Sequence, residues 1–376
     1  MPAAHLTLKS CNPCCEWRRP LAPKPSLTEA TSTALPNSPT AICRQTRDRL
    51  QLPGLAAALI DASRPGYPLI FSESFGLAQL ELTVPLTSDC VFEIASLTKL
   101  FTAEMILLLV NDGQLSLGDT LGSHMPDLPE SWQGITLEQI LRHQSGIRNY
   151  TAVPEYWEHT HVDLPREHIL ALVKDLPLDF APGSRYAYDN SGYYLLGILL
   201  EVVSGQSYGD LLQQRIFAPL YMSSTRMQDY TRLIPRRVAG YSRVDGQVRN
   251  KPYYSPTGTF SAGCLVSSLT DLSRWAASLQ AETLLPQSLR QQMWTPVASG
   301  LANEADEGFT MGLGWFCLEN GGQPFWGHNG SILGYTASLV HLPERHLSAI
   351  VLSNCDWFER PHELALELIQ ALPEAN

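Results

Sequence analysis

The sequence predicts an α+β fold, a sheet domain interrupted by a helical insertion, on three observations. Segments with strand character stand near both ends of the chain, "LPGLAAALIDA" and "YPLIFSESFGLAQ" early, then "GWFCLEN", "YTASLVHLP" and "LSAIVLSN" late. Helical patterns separated by Pro- and Gly-bearing loops occupy the middle. The length, 376 residues, exceeds what one hydrophobic core supports, so two lobes around a shared cleft, or two domains, are expected.

Taken in order, residues 1–39 are rich in Pro, Ser, Thr and Ala and carry Lys9, Arg18, Arg19 and Lys24 against Glu16 and Glu29, a pattern expected of a poorly ordered extension. The sheet is expected to begin at "LPGLAAALIDA", with "SRPG" marking a turn to the next strand. From Ser96 to Asn111 there is neither Pro nor Gly, and Leu97, Leu100, Phe101, Met105, Leu108 and Leu109 supply the apolar surface of a largely buried helix. "NDGQL" ends it. Then come "TLEQILRHQ", "REHILALVKDL", "SGYYLLGILLEVVSG" and "YGDLLQQRIFAPL", all of helical character, and "RPHELALELIQALP" closes the chain as an amphipathic helix. The domain organisation expected is a sheet domain of residues 40–116 plus 257–376 and a helical subdomain of residues 117–256.

Charge and composition narrow the function. A formal net charge of −11 with no run of Lys and Arg disfavours nucleic acid or an anionic membrane as partner and favours a small-molecule or peptide substrate. The longest apolar runs, "MILLLV" and "YYLLGILL", are too short to span a bilayer. The first twenty residues lack the apolar run of a secretory signal, which favours a cytoplasmic protein. Of eight cysteines, those at 43, 90, 264, 317 and 355 lack metal-ligand spacing and read as buried small hydrophobes; "CNPCC" has no second pair to complete a zinc knuckle.

The chemistry gathers on three short motifs. Ser96 and Lys99, one of only five lysines, sit at i and i+3 on one face of a helix start. There the free amides and dipole favour an alkoxide or oxyanion. A lysine brought below its reference pKa of about 10.4 by burial could take the serine proton. The plainer alternative is that Ser96 caps the helix and Lys99 points into water. "RYAYDNSGYYLLG" adds Tyr188 and Asn190, and "FWGHNGSILGYTASL" adds His328, Asn329 and Gly330 ahead of a strand.

In this order, SxxK, YxN, HxG, the chain resembles the serine β-lactamase and penicillin-binding-protein superfamily, in particular its class C-like branch with D-alanyl-D-alanine carboxypeptidases, D-aminopeptidases and related esterases. "ITLEQILRHQSGI" and "FSAGCLVSSLTDLSRW" fall in the family's order as well. The resemblance implies a β-lactamase-like three-layer α/β/α fold with a mostly antiparallel sheet and an inserted all-helical subdomain. It implies Ser96 as acylated nucleophile, Lys99 as its base, and Tyr188 as hydrogen-bond partner of Ser96 or proton shuttle. Asn190 would orient Lys99 and hold a substrate carbonyl, and His328 and Gly330 would border the substrate. The backbone amides of Ser96 and Ser331 would form the oxyanion hole. No metal or organic cofactor is implied.

Two departures bear on the substrate. Many relatives carry Lys-Thr-Gly where this chain has His328-Asn329-Gly330, and a histidine offers a substrate carboxylate less charge than a lysine. Asp189, where the family often has Ser, would disfavour anionic substrates if it faced the cleft. The reaction expected is hydrolysis of D-amino-acid peptides in the manner of a D-Ala-D-Ala carboxypeptidase, with a carboxylesterase, a class C-like β-lactamase and a non-catalytic binding member as alternatives.

Two other motifs imitate unrelated hydrolases. "GQSYG" matches a GxSxG nucleophile elbow, but a helix rather than a strand precedes it, so Ser207 reads as a helix cap. "HTHVD" (His159, His161, Asp163) copies a zinc-ligand string without the strand or distant ligands it needs, and reads as a solvated loop.

Overall fold

In the computed structural model, residues 38–63, 69–281, 283–296, 309–320 and 322–372 are described. The N-terminal extension, "CNPCC" and most of "SRPG" lie outside them. The strands are β1 (Gly54–Asp61), β2 (Leu69–Gln79), β3 (Val84–Pro85), β4 (Val91–Glu93), β5 (Arg226–Met227), β6 (Tyr241–Val244), β7 (Gln247–Asn250), β8 (Leu265–Ser268), β9 (Phe309–Met311), β10 (Phe316–Asn320), β11 (Gln323–Ile332), β12 (Tyr335–Leu342) and β13 (Leu347–Ser353). The helices of at least ten residues are α1 (Pro39–Leu50), α2 (Thr98–Asn111), α3 (Asn190–Ser204), α4 (Leu269–Ser278) and α5 (Pro361–Gln370).

An eight-stranded sheet runs in the order β3-β2-β1-β13-β12-β11-β10-β9, antiparallel throughout. It is covered on both faces, which is why β1 reads as a nearly continuous apolar run instead of an alternating one. Its odd residues Leu55, Ala57 and Leu59 join a core with Cys43 of α1 and Leu364 and Leu368 of α5. Its even residues Ala56, Ala58 and Ile60 join the larger core containing α2, α3 and α4. The period of two along a strand thus divides one segment between two layers. The result is the three-layer α+β arrangement expected.

α2 is buried from Thr98 to Leu109, as a helix that is apolar on all sides must be. Its polar side chains are tied down. Thr98 Oγ1 accepts from the Leu265 amide at 3.1 Å, and Thr102 Oγ1 donates to the Ser261 carbonyl at 2.7 Å. These bonds fix α2 against the segment that passes over the site.

Glu104, on the same helix, is wholly buried and accepts from Trp275 Nε1 at 2.5 Å. Burial pushes its carboxyl up from 4.5 to about 7, with the indole bond opposing. A raised acid contributes stability that is fully present below its unfolded pKa and is lost as pH rises to its folded one. Glu104→Gln should remove that loss. Between about pH 4.5 and 7 the wild type should lose about 1.4 kcal/mol per pH unit relative to the variant. Urea titrations at pH 5 and pH 8 that gave both proteins the same pH dependence would contradict this.

The stretch 117–256 departs from the all-helical expectation. β5 pairs with β8 beside β4, and β6 and β7 form a hairpin. The hairpin turns at Asp245-Gly246, with φ of 51° and 75°, the two-residue turn for which Asp-Gly is a strong sequence signal. Among the described residues no helix is long and apolar enough to cross a membrane.

Candidate active site

Four segments converge on one point. β4 leads through a short 3-10 turn, Ala95–Leu97, into α2 and delivers Ser96 and Lys99. The residue before the serine, Ala95, is held at φ 47°, a left-handed conformation that a residue with a Cβ adopts at a cost. That turn does not use Ser96 as a cap: neither it nor α2 has a side-chain cap. The hydroxyl is turned inward, with Ser96 at 7% exposure and Lys99 at 0%.

Lys99 Nζ donates to Ser96 Oγ at 3.1 Å and to the Ala262 carbonyl at 2.7 Å. Tyr188 Oη donates to the same Ser96 Oγ at 3.0 Å. Nζ also lies 4.9 Å from the Tyr188 ring centre and 5.6 Å from that of Tyr193, so aromatic faces help hold the amine. Serine oxygen, lysine nitrogen and tyrosine oxygen are therefore within direct proton-transfer reach of one another's partner.

Tyr188 is set by what surrounds its ring. His143 packs against it at 4.5 Å, Phe316 stacks at 6.3 Å and His328 lies at 6.2 Å. His143 Nδ1 accepts the Asp189 amide at 3.1 Å, so its proton resides on Nε2. His328 Nδ1 lies 2.6 Å from the Asn329 carbonyl and must donate to it, leaving Nε2 unprotonated. Burial, reinforced by Lys99, holds His328 down to about 3 and His143 well below its usual value. Two neutral imidazoles thus sit behind Tyr188.

The structure places His328 differently from the expectation that it borders the substrate. It is 0% exposed and is not among the residues lining the cleft, because β10 and the Tyr188 ring cover it. Gly330 is likewise not in the lining; its part is steric. A Cβ there would lie 2.1 Å from the Ile94 carbonyl oxygen, so only glycine lets β11 run this close to the Ser96 turn. Ser96, Ser331 and Asn190 do line one cleft. Asn190 is the first residue of α3, and its side-chain Nδ2 donates to Thr151 Oγ1 at 3.2 Å.

Asp189 faces away from the cleft. It caps α3, accepting from the Ser191 amide at 2.6 Å, the Gly192 amide at 2.9 Å and the Ser145 hydroxyl at 2.9 Å. Burial raises its carboxyl to about 6 against those hydrogen bonds. Gly192 leaves room for it, since a Cβ would fall 2.8 Å from Oδ2.

The imitating motifs go elsewhere. Ser207 caps a short helix, accepting from the Asp210 amide at 3.1 Å. Asp163 accepts from the Tyr253 and Ser255 hydroxyls at 2.5 and 2.6 Å, and among the described residues no group of His, Cys, Asp and Glu could hold a metal ion. Sequence reasoning assigned no role to His143, Ala262 or Trp157. The first two stand inside "LRHQSGI" and "FSAGC", segments already in register with the motifs, and that adjacency was the available signal.

Comparison with known proteins agrees in extent. The family model described as Beta-lactamase matches residues 40–372. Penicillin-binding protein 4* of Bacillus subtilis (strain 168) is 28% identical over 306 residues, 77% of this chain and 66% of that protein. The D-aminopeptidase of Gluconobacter oxydans (strain 621H) is 27% identical over 308 residues, 80% of this chain and 56% of that protein. The chain therefore spans less than two thirds of either relative. The crystal structure of D-amino acid amidase from Ochrobactrum anthropi SV3, complexed with L-phenylalanine amide, superposes with a TM-score of 0.77 at 26% identity, covering 89% of this chain and 97% of that one.

Proposed function

The chain belongs to the beta-lactamase family, and on that premise we propose that it is a serine hydrolase working through an acyl-enzyme on Ser96, with amide and peptide bonds of D-residues as its substrates. The observation that carries the reading is the convergence of Lys99 Nζ and Tyr188 Oη on Ser96 Oγ, at 3.1 and 3.0 Å. The D-residue preference rests on the relatives, among them a D-aminopeptidase and a D-amino acid amidase.

In the first half-reaction Ser96 Oγ attacks the substrate carbonyl carbon and its proton passes to Lys99. The carbonyl oxygen, now an anion, is held by the backbone amides of Ser96 and Ser331, a contribution of about 10²–10³ in rate per donor. Tyr188 relays the proton to the leaving nitrogen, the C–N bond breaks and the amine departs. In the second, water adds to the Ser96 ester by the same proton path, releasing the acid and restoring the hydroxyl. His328 and His143 act behind Tyr188, fixing its ring without adding charge. Gly330 acts by allowing β11 to bring Ser331 beside Ser96.

Incubation with a fluorophosphonate followed by peptide mass spectrometry should place one adduct on Ser96. An unmodified Ser96, or an adduct on Ser207 in its stead, would overturn the reading.

A further inference from the structure

The cleft in front of Ser96 opens to solvent, and none of its thirteen lining residues carries a formal charge. Its apolar lining is Tyr150, Trp157, Tyr254, Ile332 and Leu333, interspersed with the neutral polar side chains of Thr151, Asn190, Thr259 and Ser331. Two of the three aromatic polar tips are engaged within the protein. Trp157 Nε1 donates to the Thr151 carbonyl at 2.9 Å, and Tyr254 Oη shares a hydrogen bond of 2.7 Å with Tyr156 Oη. Tyr150 and Trp157 both pack on Tyr156, at 5.0 and 5.4 Å between ring centres, so the wall is braced. What the lining offers a ligand is apolar surface and uncharged hydrogen-bonding groups.

The nearby cations and imidazoles do not change that. Lys99 is buried with its hydrogen bonds directed to Ser96 and Ala262, His328 is buried and neutral behind Tyr188, and Lys251 is paired with Glu93 at 2.6 Å. A substrate carboxylate entering here would give up water without gaining a cation, which is strongly unfavourable. An uncharged amide or ester would lose little, and an apolar side chain would gain from the aromatic wall.

From this we propose that the cleft selects a neutral substrate: an acyl residue with an apolar side chain of aromatic size, joined by an amide or ester bond to a leaving group that bears no carboxylate. The inference rests on the Ser96 acyl-enzyme reading and narrows it, turning the specificity away from a carboxypeptidase that reads a free C-terminus. The chemistry is the balanced two-step transfer already given; only the groups flanking the scissile bond are specified.

The test uses the full chain and a matched pair, N-acetyl-D-phenylalanyl-D-alanine and its C-terminal amide. The amide should show at least a tenfold higher kcat/KM, and Trp157→Ala should lower that value about tenfold while changing hydrolysis of the D-alanyl analogue less than threefold. Ile332→Lys, which sets a cation on the wall, should shift the acid-to-amide ratio toward the acid. Protection of Ser96 from fluorophosphonate by each compound gives an independent binding readout. Equal or better hydrolysis or protection by the acid would overturn the inference while leaving the Ser96 mechanism standing. Protection by neither compound, with Ser96 still labelled, would overturn it too. A Ser96 that reacts with no phosphonate would remove the underlying reading itself.

Discussion

Lys99→Met is expected to lower kcat/KM on any hydrolysed amide or ester by about 10³-fold or more, at the upper part of the range for losing a positioned general base. The reasoning is geometric. Nζ is the nitrogen 3.1 Å from Ser96 Oγ, and its second bond, 2.7 Å to the Ala262 carbonyl, holds it there instead of letting it swing to solvent. Methionine fills similar space without a proton acceptor of comparable basicity. The fold should tolerate the change. Losing a buried amine removes the cost of burying a polar group, which offsets the roughly 1–3 kcal/mol of leaving the Ala262 carbonyl unpaired. Thermal unfolding should therefore shift by only a few degrees. Retention of more than about a tenth of the activity, far above the range for a lost base, would show that Lys99 is not the base.

Gly330→Ala is the second large effect and acts without touching a reacting atom. The new Cβ would stand 2.1 Å from the Ile94 oxygen, 3.1 Å from the Ile94 carbonyl carbon and 3.3 Å from Ala95 Cβ. The first two atoms are backbone and cannot rotate aside, so β11 must withdraw from the turn that carries Ser96. A displacement of about 1 Å at a reacting geometry costs on the order of 10²-fold. Overpacking should also destabilise by about 1–3 kcal/mol. Gly134→Ala is the control: a Cβ there meets nothing within 4 Å, and neither activity nor thermal midpoint should move. A Gly330→Ala enzyme within threefold of wild type would refute the steric role.

How far this molecule could be read in advance depends on what each residue's role leaves in the sequence. β1 was legible because burial on both faces demands an unbroken apolar run, and "GLAAALI" is one. α2 was legible for the same reason in helical form. Ser96 and Lys99 were legible as a pair because i and i+3 share a helix face. Ala95 was not, since alanine is the best helix former and nothing local announces a left-handed φ. His328 was found by its motif and misplaced in depth. Its strand neighbours are visible in sequence, whereas the cover provided by Phe316 and Tyr188 arrives from two distant segments. The β6–β7 hairpin was announced by Asp245-Gly246 and submerged by the helical patterns around it. The uncharged wall of the cleft combines residues near 150, 254 and 332, a grouping that only the fold reveals.

The strand order has a consequence for how the chain folds. β1, near the start of the chain, lies between β2 and β13, and Ser331 reaches Ser96 only when β11 has docked. During synthesis the ribosome releases α2 and its Ser96 long before the strands that complete the site. One edge of β1 therefore stays unpaired until β13 has been made, and an open edge invites mispairing. Long-range closure of this kind folds slowly. On the proposed acyl-enzyme mechanism, a chain truncated before β11 would also lack the Ser331 amide proposed to hold the oxyanion.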